Sequence, residues 1–100
     1  MHTIAKSRLR LFWESSSAYA DAEIPLTEWY RHMEKASYQN PQEIKADFGT
    51  ASILKGGRVV FNIGGNKYRL IVAIDYARQL MFVRFIGTHA QYDKIDAETI

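Results

Sequence analysis

His89 and Tyr92 are the residues of this sequence best suited to moving protons. They lie in the run Gly87-Thr88-His89-Ala90-Gln91-Tyr92. Thr88 and Gln91 have the spacing of a capping box, in which a threonine hydroxyl and a glutamine amide satisfy free N–H groups at a helix start. The spacing predicts a short terminal helix that begins at Thr88. His89 then falls in the first turn, with Tyr92 roughly on the same side. An imidazole can accept or donate a proton near neutrality, and a helix start attracts anions. A phosphate could therefore bind beside a histidine. The bland alternative is that the two rings only pack the helix onto a sheet.

A phosphate needs cations, and the sequence concentrates them. Residues 55–84 carry Lys55, Arg58, Lys67, Arg69, Arg78 and Arg84 against the single acid Asp75. The first 54 residues are nearly balanced and the last 16 are acidic, so the formal net charge is only +2. A basic middle of this kind suits a polyanion. Other chemistries fail on residue types or spacing. There is no cysteine, which excludes thiolate ligands, disulfides and a cysteine nucleophile. His2, His32 and His89 lack any local metal-ligand spacing. Gly56-Gly57 and Gly64-Gly65 fit neither a dinucleotide fingerprint nor a P-loop, and read better as turns. No serine sits in a nucleophile elbow. Asp93 and Asp96 read as helix surface. Neither a metal nor a cofactor is expected.

The elements that must position these groups follow from periodicity. One hundred residues with 47% hydrophobic and 24% charged side chains make a single globular domain over 1–100. Ala5, Leu9, Phe12, Trp13 and Ser16 recur at helical spacing, and Met1–Ile4 could form a short strand before them. A second helix starts near Pro25, with Leu26, Trp29, Tyr30, Met33 and Ser37 as its buried stripe. Asn40-Pro41 breaks it, and Asn40 with Glu43 suggests a capped turn over Pro41–Asp47. Trp13 and Trp29 belong to the core. Val59–Ile63, Tyr68–Tyr76 and Leu80–Gly87 are β-rich. Gly64-Gly65-Asn66 and Ala77-Arg78-Gln79 close hairpins between them, and a further strand could lie around Ile53–Lys55. The result is an α+β domain: N-terminal helices packed on one face of a small antiparallel sheet, with a short C-terminal helix.

Strand alternation then sorts the side chains. Val59, Phe61 and Ile63, with Tyr68, Leu70, Val72 and Ile74, and with Met81, Val83 and Phe85, form the apolar set that faces the helices. Arg58, Asn62, Lys67, Arg69 and Arg84 share the other face, with Val60, Ile71 and Phe82 among them as an apolar floor. Cations around aromatic and aliphatic ground suit single-stranded nucleic acid. A merely solvated face is the other reading, and a bulge in any strand would break the parity.

Two motifs at this separation resemble a known family. Phe61-Asn62-Ile63-Gly64-Gly65-Asn66-Lys67-Tyr68-Arg69-Leu70-Ile71, followed by Arg84-Phe85-Ile86-Gly87-Thr88-His89-Ala90-Gln91-Tyr92-Asp93-Lys94-Ile95, is similar to the HigB toxins of type II toxin–antitoxin pairs. The resemblance implies a RelE-like fold and an endoribonuclease that cuts messenger RNA, commonly on the translating ribosome, without a metal. The implied reaction is attack of a ribose 2′-hydroxyl on the adjacent phosphodiester. By the same resemblance Arg69 and Arg84 take the scissile phosphate. His89 transfers the proton, with Tyr92 as helper or alternative, and Lys94 contacts phosphate or joins in proton transfer. Lys55, Arg58, Asn62 and Lys67 are the implied RNA contacts.

The resemblance also implies partners. They are a cognate HigA-like antitoxin with a helix-turn-helix domain, mRNA on the ribosome, and operator DNA reached only through the antitoxin complex. No membrane-length apolar run or signal-peptide pattern is present, so a cytoplasmic protein is expected. A non-catalytic RNA-binding module and a protein-interaction module could use the same basic face.

Overall fold

The computed structural model describes residues 1–100. Its elements run β1 (His2–Ile4), α1 (Ser7–Glu14), a 3₁₀ segment (Ser17–Ala22), α2 (Glu23–Lys35), α3 (Pro41–Asp47), β2 (Ser52–Ile53), β3 (Arg58–Ile63), β4 (Tyr68–Asp75), β5 (Leu80–Thr88) and α4 (His89–Tyr92). The strands form one sheet in the order β1-β5-β4-β3-β2. β2 to β5 pair antiparallel, as the hairpin turns require, but β1 lies parallel to β5. The sheet is therefore mixed rather than purely antiparallel. A strand at the chain start can join an edge without a hairpin, so nothing local fixes its direction.

Local signals set the helix ends. Asn40 Oδ1 accepts from the Glu43 amide at 3.1 Å and caps α3, with Pro41 in the first turn. The return bond from Glu43 goes to the Gln39 amide at 2.8 Å, one residue earlier than a capping box would place it. Ser16 is not the last residue of the first helical stripe; its hydroxyl caps the 3₁₀ segment instead. Beyond α2, Tyr38 donates to Asp47 at 2.6 Å and meets His32 Nε2 at 3.1 Å, which fastens α3 to α2.

The core lies between the helices and one sheet face. Leu9, Leu26, Trp29, Met33 and Ile44 meet Val59, Phe61, Tyr68, Leu70, Val72, Met81 and Val83. Trp29 and Phe48 both pack edge-on to Phe61, with ring centroids 5.5 and 5.0 Å away. Trp13 packs against this cluster from a half-buried position.

A second aromatic group ties the 3₁₀ segment to β4. Phe12 stacks on Tyr19 at 4.6 Å, and Tyr68 approaches Phe12 edge-on at 5.4 Å. The Tyr68 hydroxyl donates to Asp21, which also pairs with Lys67. The Lys67 ammonium, and then the Tyr68 hydroxyl, hold the Asp21 carboxyl below its usual range, and the Asp21 carboxylate in turn raises Lys67. A depressed carboxyl stabilises the fold above its unfolded pKa and loses that contribution as pH falls through its folded value. Loss of the hydrogen bond to Asp21 in Tyr68→Phe should lower the denaturant midpoint at neutral pH. The gap between wild type and Asp21→Asn should close as the pH falls toward 3 and below. Denaturant titrations across that range check both.

Candidate active site

The sheet face away from the helices has ordered rows. Arg58 stands opposite Ala73 and Ala73 opposite Phe82; next come Val60, Ile71 and Phe85, then Asn62, Arg69 and Gly87. Phe85 is on this face and not in the core, contrary to simple alternation. The register between β4 and β5 slips: Val72 pairs with Val83 but Ile71 pairs with Phe85, leaving Arg84 as an extra residue. This bulge turns Phe85 outward and Ile86 toward the core. Arg8 of α1 covers the irregular edge, donating to the carbonyls of Val83 at 2.8 Å and Arg84 at 3.3 Å.

Arg69, His89 and Tyr92 converge at the last row. The Arg69 guanidinium lies over the Tyr92 ring, 5.1 Å from its centroid, and its Nε is 3.3 Å from His89 Nε2. Tyr92 also faces Phe85, at 6.5 Å between centroids. The Thr88 and Gln91 capping box is present in full and starts the helix that carries both rings. Gly87 is required beside it. A Cβ there would lie 2.6 Å from both the Phe85 ring and the Gln91 amide oxygen, so a side chain would displace both. The turn Gly64-Gly65-Asn66 has φ of 65°, 64° and 89°, a left-handed run that two glycines and an asparagine tolerate. It brings the Asn66 carbonyl to 2.5 Å from His89 Nε2.

Most of the other predicted residues stand elsewhere. Lys67 leaves the basic face, because its ammonium turns to Asp21 beside the helices. Arg58 is on the predicted face but donates from Nε and Nη2 to the Ile100 carbonyl, at 3.0 and 2.6 Å. Asn62 donates to the Thr50 carbonyl at 3.2 Å. Arg84 is exposed on the bulge, 5.8 Å from the Phe82 ring centroid. Lys55 and Lys94 are exposed on a turn and just past α4, with no side-chain bond. The terminal helix is a single turn, too short to contribute much dipole, so Arg69 supplies the positive charge at this site.

The apolar floor is not open. Val60 and Ile71 are 1% and 0% exposed and Ala73 is 8% exposed, although they face away from the helices. The segment after α4 crosses over them. It leaves Tyr92 beside Arg69, half-buries Ile95, Ala97 and Ile100, and ends on Arg58. At the other end of the face Arg69, His89, Tyr92 and Phe85 stay partly exposed. Sequence reasoning missed two contributors here. Phe85 was hidden by the bulge. Asn66 acts through a backbone carbonyl, which no side-chain pattern reports.

A family model described as the HigB toxin, a RelE-like toxic component of a toxin–antitoxin system, matches residues 22–95. The helix layer, the small sheet and the terminal helix thus make a RelE-like toxin domain. Within that class the chain belongs to the HigB toxin family. Curated relatives agree along nearly the whole length. An mRNA interferase HigB of Escherichia coli O6:H1 is 30% identical, over 95% of this chain and 91% of the relative. The mRNA interferase toxin HigB of Escherichia coli K12 and the mRNA interferase HigB of Shigella flexneri are each 26% identical, over 93% of this chain and 88% of the relative. Membership implies an antitoxin partner. No helix is long and apolar enough to cross a membrane.

Proposed function

We propose that the chain is a ribosome-dependent endoribonuclease that cuts mRNA by turning a ribose 2′-hydroxyl against its own phosphodiester. The observation that carries this reading is the contact of Arg69, His89 and Tyr92 at one end of the sheet face. His89 takes the 2′ proton, and the 2′ oxygen attacks phosphorus. The bond to the 5′ oxygen breaks, and that oxygen takes a proton from Tyr92. Arg69 holds the extra negative charge that the phosphate gains on the way, the largest single contribution expected in such chemistry. Arg84 meets a flanking phosphate, and Lys94 and Lys55 are free to do the same. Tyr92 and Phe85 offer ring faces to a base. The protein acts in the cytoplasm, without a metal. Its partner is a HigA-like helix-turn-helix antitoxin, through which the pair reaches operator DNA.

End-group analysis tests the reaction. Programmed ribosomes treated with the protein should yield fragments ending in a 2′,3′-cyclic phosphate, paired with 5′-hydroxyl ends. Binding to RNA with no such ends would instead make the chain a non-catalytic binder.

A further inference from the structure

Three polar groups crowd one ring nitrogen of His89. The Asn66 carbonyl is 2.5 Å from Nε2, the Asn66 side-chain oxygen 3.2 Å, and the Arg69 Nε 3.3 Å. The demands conflict. The Arg69 N–H needs a lone pair on Nε2, whereas both Asn66 oxygens are acceptors and need a proton there. Distance decides between them. A bare nitrogen 2.5 Å from a carbonyl oxygen would set lone pair against lone pair. A proton on Nε2 turns the same contact into a short hydrogen bond, and Arg69 then lies against the ring without donating to it. The tautomer of a histidine is set by the bond its other nitrogen makes. With Nε2 protonated, Nδ1 carries the free lone pair, and it makes no hydrogen bond within the protein.

We infer that Asn66 is a positioning residue. Its backbone carbonyl fixes His89 in the Nε2–H form and so makes Nδ1 the atom that takes the 2′ proton. This use of Nδ1 rests on the nuclease reading above; the hydrogen bond itself does not. The same carbonyl still accepts from Nε2 after Nδ1 is protonated, so the ring keeps its orientation through the step. The left-handed turn is what aims the carbonyl: Asn66 sits at φ 89° after two left-handed glycines. An asparagine tolerates that conformation and a β-branched residue does not.

Nitrogen-15 spectra of the imidazoles in the full-length protein, recorded at mildly alkaline pH where imidazoles are neutral, test the inference. His89 should show a protonated, slowly exchanging Nε2 and an unprotonated Nδ1. Asn66→Gly keeps the conformation and the carbonyl but removes the side-chain oxygen, and should keep the wild-type spectrum. Asn66→Val should lose the protected Nε2–H, and turnover should fall about 10- to 100-fold, with KM for RNA little changed. A wild-type His89 protonated on Nδ1 overturns the inference, whatever the variants do. So does an Asn66→Val protein with the wild-type spectrum. A wild-type protein with the expected spectrum that cuts no RNA overturns the nuclease reading and leaves the hydrogen bond confirmed.

Discussion

Arg69→Ala is expected to slow RNA cleavage by about 10²- to 10³-fold while the protein stays folded. The side chain stands on the central strand, where its backbone is paired on both sides, with Asn62 and with Gly87. Unlike Lys67, it has no carboxylate partner. Its charge is therefore available to a ligand, and its removal orphans no buried acid. The loss should appear in kcat if Arg69 meets charge that develops during the reaction, and only in KM if it merely holds RNA. Arg69→Lys restores the charge but not the flat guanidinium over Tyr92, so it should recover only part of the rate. Single-turnover cleavage on programmed ribosomes, beside a thermal melt, separates these outcomes. Full activity in Arg69→Ala would remove this arginine from the site.

The second large effect is expected for His89→Ala, about 10²- to 10⁴-fold in turnover, the range of a lost general acid or base. Tyr92→Phe keeps the ring under Arg69 and removes only the hydroxyl. A much smaller loss there would assign proton transfer to the imidazole alone, and a comparable loss would make the phenol its partner. The arginine and the histidine touch, so the double variant Arg69→Ala/His89→Ala should cost much less than the product of the single effects. Expression in cells gives an independent reading: growth arrest by the wild type and its absence in His89→Ala. An arrest as strong in the variant would send the search for the proton carrier elsewhere.

What could be read from the sequence is what local chemistry decides. The Thr88–Gln91 capping box, the Asn40 cap, the left-handed Gly64-Gly65-Asn66 turn and the hairpin at Ala77-Arg78-Gln79 each depend on a few adjacent residues, and each is present. The helices-then-sheet order followed from the change in periodicity between the two halves. Apart from the bulge that misplaced Phe85, the failures share a different cause, contact between residues distant in sequence. Lys67 looked like part of a basic strand until Asp21, 46 positions away, claimed its ammonium. Arg58 looked free until the last segment folded back to it, 42 positions on. Val60 and Ile71 looked like open ground because alternation shows which side of a sheet a residue occupies but not what lies on top of it. The union of Arg69, His89 and Tyr92 was within reach because α4 follows β5 directly and both rings are in its single turn.

The extra residue in β5 has a practical consequence. On either side of Arg84 the strand obeys opposite phases: Met81 and Val83 serve the core at odd numbers, Ile86 at an even one, and Phe85 lies on the opposite face. A combinatorial library or a redesign that randomises every second position along the whole strand would mix hydrophobic-core changes with specificity changes. The two halves have to be varied as separate blocks, split at residue 84, before any shift in the sequences the toxin cuts can be attributed to the surface that meets them.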